Sequence, residues 1–171
     1  MKKIAILVED YYQVLEVWYP YLRLREENIP VVFLGTTKEQ YGSKEGYPVK
    51  ADILIKKAKA VDFSGVIIPG GFAPDVLRRY KEVNKFVSDL YKQGQLVASI
   101  CHGGWVLVSA GILKGKQATS FYAIKDDLVN GGAKFLDKEV VGDGNLITSR
   151  NPYDLSSFCK EIINFLKRSK A

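Results

Sequence analysis

Four short apolar runs constrain this chain more than any other feature. KIAILV (residues 3–8), VVFLG (31–35), GVIIPGG (65–71) and LVASI (96–100) are short for helices and too continuous for half-exposed strands. Strands covered on both faces read this way, as in a parallel sheet sandwiched by helices. Helical patterns separate them. Val14, Leu15, Trp18, Leu22 and Leu24 recur at near-helical spacing up to Glu26, with Pro20 inside, where a kink is expected. A second helical pattern runs from about Asp75 to Gln93, with a break expected near Tyr80 and Gly94 placed to cap it. Strand alternating with helix predicts an α/β fold with a mostly parallel sheet and helices on both faces. No linker, repeat or shift in composition divides the 171 residues, so one domain over 1–171 is expected.

The remaining segments fit this plan. Residues 36–50 are polar and punctuated by glycine, which predicts a hairpin or an excursion from the sheet. A small-residue helix is expected after Cys101, through Val106, Leu107 and Ala110 to Gly111. A short strand is expected at 117–120 and a helix at 122–131. EVVGDGNLITS (139–149) carries an Asp-Gly turn between two β-rich runs, a hairpin signal. An amphipathic helix over 153–168 closes the chain, with Asn151-Pro152 at its start.

Composition excludes several classes. The 47% hydrophobic and 26% charged content is that of a soluble globular protein. No apolar run approaches the ~18 residues of a membrane span. MKKIAILVED lacks the apolar stretch of ~7–15 residues of a signal peptide, so a cytoplasmic protein with no membrane partner is expected. Two cysteines make no disulfide framework. A lone histidine without a CxxC pair argues against zinc, and no metal or cofactor is expected. The net charge of +6 comes from basic residues interleaved with acids, so a solvated basic surface is expected and no nucleic-acid partner.

The chemistry gathers at strand ends, where open α/β sheets bind ligands. LVASI runs straight into Cys101-His102-Gly103-Gly104. A buried strand turning sharply into a helix with cysteine at the turn is a nucleophile-elbow arrangement. A helix start there favours the thiolate. His102, the only histidine, is adjacent, but neighbouring side chains diverge, so contact needs a distorted backbone. Gly70 and Gly71 in IIPGGFAPD allow adjacent N–H groups to converge as an oxyanion hole, or simply make a turn. Glu16, early in the first helix, can face the strand ends as a partner for the thiol, or act only on the helix dipole. Cys159, beside Phe158, reads as core.

Together, IIPGGFAPD, VASICHGGWVLVSAGIL, SFYAIKDDLVNGGAKF and EVVGDGNLITSRNPYDL resemble the PfpI family of intracellular cysteine peptidases, within the ThiJ/PfpI group of glutamine-amidotransferase-like proteins. The resemblance runs nearly end to end. It implies a flavodoxin-like three-layer sandwich. It implies Cys101 as nucleophile, His102 as its base and Glu16 as the carboxyl that hydrogen-bonds the cysteine. It further implies oxyanion-hole N–H groups from Gly71 and His102. Asp75, contributed by a neighbouring subunit, would orient His102. Gly70, Gly103, Phe121 and Tyr122 are then expected around the substrate. Self-association as dimer, trimer or hexamer would complete the site. The chain differs from the family pattern at Asp75 (usually Glu), at Gln13 (commonly a second acid) and at Phe121 (often Tyr).

The activity expected first is a cysteine hydrolase of peptides or small amide-like compounds. The alternative is a glyoxalase or deglycase acting on methylglyoxal or its adducts. A third reading is a stress-response chaperone or redox sensor using Cys101 without turnover.

Overall fold

The structure is a computed structural model that describes residues 2–169, so the two ends of the expected 1–171 domain lie outside the described residues. The four apolar runs form the centre of a seven-stranded sheet. They are β1 (Lys3–Val8), β2 (Val31–Gly35), β6 (Phe63–Ile68) and β7 (Leu96–Ile100). Three further strands extend it: β5 (Ile53–Leu54) at one edge, and β10 (Val140–Asp143) with β11 (Leu146–Ser149) at the other. The order is β10-β11-β7-β6-β1-β2-β5, and only the β10–β11 pair is antiparallel. That pair is the Asp-Gly hairpin. Ile4, Ile6, Val8, Ile67, Val97 and Ile100 are fully buried, as continuous apolar strands should be.

Connection direction sets the layers. The chain passes from β1 to β2 through α1 (Val14–Glu26) in one direction along the sheet. From β6 to β7 it passes through α2 (Ala73–Leu77) and α3 (Lys81–Lys92) in the other. Right-handed crossovers of opposite direction lie on opposite faces. Helix α6 (Leu155–Arg168) packs beside α1, while α4 (Gly104–Ser109) packs beside α2 and α3. The strand order reverses between β1 and β6, which opens a crevice at their carboxyl ends.

Some details follow expectation and others differ. Helix α1 runs unbroken through Pro20. The break near Tyr80 separates α2 from α3. The strand expected at 117–120 shrinks to β8 (Gln117–Ala118), which pairs with β9 (Lys134–Phe135) outside the main sheet. Thr119 instead turns into the interior, its N–H donating to Thr148 Oγ1 at 2.9 Å. The polar segment forms a hairpin of β3 (Gln40–Gly42) and β4 (Pro48–Lys50). Residues 122–131 contribute a short 3-10 turn and α5 (Lys125–Asn130). Edge strand β5 gave no sequence signal because two residues carry no periodicity.

Candidate active site

Backbone strain builds the elbow. Ile100 is extended, with φ −133° and ψ 148°, but Cys101 takes φ +60°, a conformation that L side chains rarely adopt. A left-handed non-glycine residue costs about 1–2 kcal/mol. The chain then makes one 3-10 turn, Cys101–Gly103, before α4 starts. Gly103 lets this turn press onto the carbonyl of Ile68 at the end of β6, where any Cβ would collide. The strain brings neighbours together: Cys101 Sγ lies 3.3 Å from His102 Nδ1. The backbone N–H groups of His102 and Gly71 also face the sulfur.

Glu16 arrives from β1. Gln13 caps α1, its side chain accepting from the Leu15 N–H at 2.9 Å, and this sets Glu16 in the first turn. Glu16 is fully buried. Its Oε2 accepts the Gly70 N–H at 2.7 Å, while Oε1 is buried without a hydrogen-bond partner. Gly70 is glycine for a steric reason. A Cβ there would lie 2.7 Å from both Glu16 Oε2 and the Cys101 Cβ, and 2.9 Å from Sγ.

The two groups perturb each other. Burial raises the Glu16 carboxyl to about 7, despite the hydrogen bond from Gly70. Burial, with the Glu16 charge second, pushes the Cys101 thiol up to about 12. The expected thiolate-favouring helix start is therefore outweighed. Helix α4 is only six residues long and begins after the 3-10 turn. Burial governs the thiol first and the Glu16 charge second. Burial lowers the His102 pKa, with the Lys44 charge second, so the imidazole is biased toward its neutral form.

Above these groups is a cavity of about 190 Å³. Cys101, His102, Glu16 and Gly71 line it together, and Phe121 stacks on the His102 ring at 5.0 Å. Trp105 meets the other side of that ring edge-on at 5.2 Å. Five further lining residues had not been singled out for the site in the sequence or had been noted only as a departure: Gln13, Lys44, Phe72, Asn151 and Pro152. Asn151 sits in the SRNPYDL stretch that carries the family resemblance. Lys44 lies at the tip of the β3–β4 hairpin, which nothing in the sequence ties to Cys101.

Four expected residues line no part of this cavity. Gly70 packs beneath it, against Glu16 and Cys101. Tyr122 is 77% exposed and borders a neighbouring groove with Phe135, Asp137 and Arg150, because it starts the turn that leads away from the cavity. Gly103 lies beneath the elbow and serves close packing. Asp75 sits on exposed α2 and pairs with Arg79 one turn on, so within one chain it makes no hydrogen bond to His102. Among the described residues, no group of three or more His, Cys, Asp or Glu is placed to hold a metal, and no helix is long and apolar enough to cross a membrane.

Residues 2–165 match the DJ-1/PfpI family. The chain belongs to that family. Among family relatives, it is 38% identical to a Pyrococcus furiosus protein named "Deglycase PfpI", with 96% of this chain and 99% of that one covered. It is 41% identical to a Bacillus subtilis protein named "Putative cysteine protease YraA", covering 97% and 99%. A solved two-domain protein from Anabaena variabilis, with DJ-1/ThiJ/PfpI-like and ferritin-like domains, superposes with a TM-score of 0.95 at 44% identity. That match covers 98% of this chain and 48% of the longer protein, so this chain spans about half of it.

Proposed function

We propose that this family member is a cysteine-dependent enzyme of small carbonyl compounds: α-oxoaldehydes and the adducts they form on amines and thiols. The observation that carries this reading is the buried Glu16 carboxyl, held by the Gly70 N–H against Cys101 in a cavity of about 190 Å³. A carboxyl with pKa about 7 exchanges protons readily near neutral pH. Glu16 takes the thiol proton as Cys101 Sγ attacks the carbonyl carbon. The carbonyl electron pair moves to oxygen, where the Gly71 and His102 N–H groups receive it. Glu16 returns that proton to the oxygen, then takes the former aldehyde C–H proton to leave an enediol. A proton added at the ketone carbon gives a 2-hydroxy thioester on Cys101, whose C–S bond water cleaves to regenerate the thiol. For a free α-oxoaldehyde, one water is taken up and an α-hydroxy acid leaves; for an adduct, the amine or thiol departs as well. A cavity of this size suits a small carbonyl compound, and the P. furiosus relative is named a deglycase.

A peptidase is the second reading, favoured by the 3.3 Å contact between Cys101 and His102 and by the name of the B. subtilis relative. His102 would then protonate the leaving amine, and Asp75 would orient it across a contact between two copies of the chain. Sensor cysteines are low-pKa and accessible, whereas Cys101 is buried with a raised pKa, so turnover is favoured here over sensing. The deciding experiment assays methylglyoxal, its N-acetylcysteine adduct and a fluorogenic peptide panel in parallel. Carbonyl turnover should vanish in Cys101→Ala and Glu16→Gln and survive in part in His102→Ala. Peptide cleavage that collapses in His102→Ala, with no methylglyoxal turnover, would establish the peptidase reading instead.

A further inference from the structure

Lys44 is the one lysine or arginine among the residues lining the Cys101 cavity. Its position is fixed by a hairpin tip that is unusually well tied down. The Lys44 N–H donates to the Tyr12 carbonyl at 3.0 Å, and the Tyr12 hydroxyl donates to the Tyr47 carbonyl at 2.8 Å. Ser43, itself buried, accepts the Glu45 and Tyr47 N–H groups on its hydroxyl at 3.1 and 3.0 Å. The tip is thus clamped to the segment that leads into α1 and Glu16. The Lys44 ammonium is half-exposed and forms only a loose ion pair with Glu45 at 3.8 Å, without a hydrogen bond, so a ligand anion can compete for it. The Lys44 charge acts at both Glu16 and His102, with Glu45 opposing it at Glu16.

Apart from Glu16, whose raised pKa of about 7 keeps it partly protonated near neutral pH, the rest of the wall is apolar or neutral, from Phe72, Phe121 and Pro152 to the amides of Gln13 and Asn151. A neutral carbonyl compound needs no cation there. An anion entering such a cavity needs a paired charge, or its desolvation opposes binding. Lys44 and Cys101 line the same cavity, so a ligand that reaches the sulfur enters a space the lysine borders.

We propose that Lys44 makes this a site for α-oxoaldehydes that carry a carboxylate, with the lysine receiving the carboxylate while the dicarbonyl end meets Cys101. The proposal rests on the small-carbonyl reading above and narrows its substrate class. The reaction balances with water alone: the aldehyde carbon is oxidised to a carboxyl, the ketone carbon is reduced to a carbinol, and no other oxidant or reductant is required.

The test compares 4,5-dioxovalerate with its methyl ester, which is nearly the same size but neutral, and with methylglyoxal. Wild-type protein should show kcat/KM about tenfold higher for the acid than for the ester, the scale of one hydrogen bond to a charged group, with the difference in KM. Added salt should shrink that ratio. Lys44→Met should abolish the preference and Lys44→Arg should retain it. Equal kcat/KM for acid and ester in the wild type, or a preference untouched in a folded Lys44→Met, overturns the proposal. If none of the three compounds is turned over, the small-carbonyl reading fails. Calorimetry of unreactive laevulinate and methyl laevulinate with Cys101→Ala then decides the Lys44 site alone: tighter binding of the acid supports it, and equal binding refutes it.

Discussion

Cys101 Sγ and His102 Nδ1 lie 3.3 Å apart although the residues are consecutive, and the cause is the left-handed φ of +60° at Cys101. On a regular strand or helix the two side chains would diverge. The chain accepts about 1–2 kcal/mol of backbone strain at the point where the reactive atom must be displayed. The same twist carries the His102 N–H toward the sulfur, while the Gly71 N–H reaches it from the loop after β6, where Gly71 has its own φ of +76°. Strain and proximity therefore arise from one dihedral angle, and the two oxyanion donors from two loops.

The two cysteines should separate cleanly in function. Cys101→Ala should abolish carbonyl turnover. Cys159→Ala should leave it within about twofold and lower unfolding stability by about 1 kcal/mol, because Cys159 is packed at 1% exposure in α6 and lines no part of the cavity. Turnover assays with urea unfolding of both variants provide the check. Activity retained in Cys101→Ala would remove the thiol from the chemistry.

Glu16 makes stability depend on pH in a defined window. Between pH 4.5 and about 7 the unfolded chain has released the Glu16 proton and the folded chain keeps it. The folded state binds more protons there, so stability falls as pH rises. The penalty is absent below 4.5 and complete above about 7, with a full span of about 3 kcal/mol. His102 acts in the opposite sense, because its lowered pKa removes stability as pH falls. Glu16→Gln deletes the first effect and keeps the second. The stability of wild type minus that of Glu16→Gln, measured by urea unfolding at pH 4.5, 5.5 and 7, should therefore decrease with pH. A difference that stays flat would mean that Glu16 ionises normally.

The legibility of this molecule divides along physical lines. The core strands were readable because burial on both faces forces continuous apolar runs, as in KIAILV and LVASI. The elbow was readable because a strand flowing into Cys-His-Gly-Gly has few other uses. Edge strand β5 was not, since Ile53 and Leu54 are too few to show a period. Lys44 was invisible for a different reason: its place depends on how the Ser43–Tyr47 tip is tied to Tyr12, a contact between segments about thirty residues apart. The thiol was misjudged because helix-start chemistry is local, whereas the burial and the Glu16 carboxyl that outweigh it come from other strands.

Gly70 offers a steric test of the Glu16–Cys101 arrangement. In Gly70→Ala the new methyl would sit 2.7 Å from both the Glu16 Oε2 and the Cys101 Cβ, so one of them must move. Overpacking of this kind costs about 1–3 kcal/mol. The variant should fold, lose about a hundredfold in kcat as the proton partner is displaced, and show a Cys101 alkylation profile shifted in pH. Unchanged kcat and alkylation would show that the close approach of Gly70 to both side chains has no part in the reaction.

Asp75 separates the two enzymatic readings through assembly. Its carboxylate pairs with Arg79 on exposed α2 and makes no hydrogen bond to His102 in its own chain. An exposed pair of this type contributes little to stability, so Asp75→Asn should change unfolding free energy by less than about 1 kcal/mol. If a second copy of the chain brings Asp75 to His102, the substitution should lower peptide cleavage and leave methylglyoxal turnover through Cys101 and Glu16 nearly intact. Peptide cleavage per subunit should then also fall on dilution below the dissociation constant of the assembly, which light scattering measures in parallel. Cleavage that is independent of both dilution and Asp75→Asn would exclude a site completed by Asp75 of a second subunit.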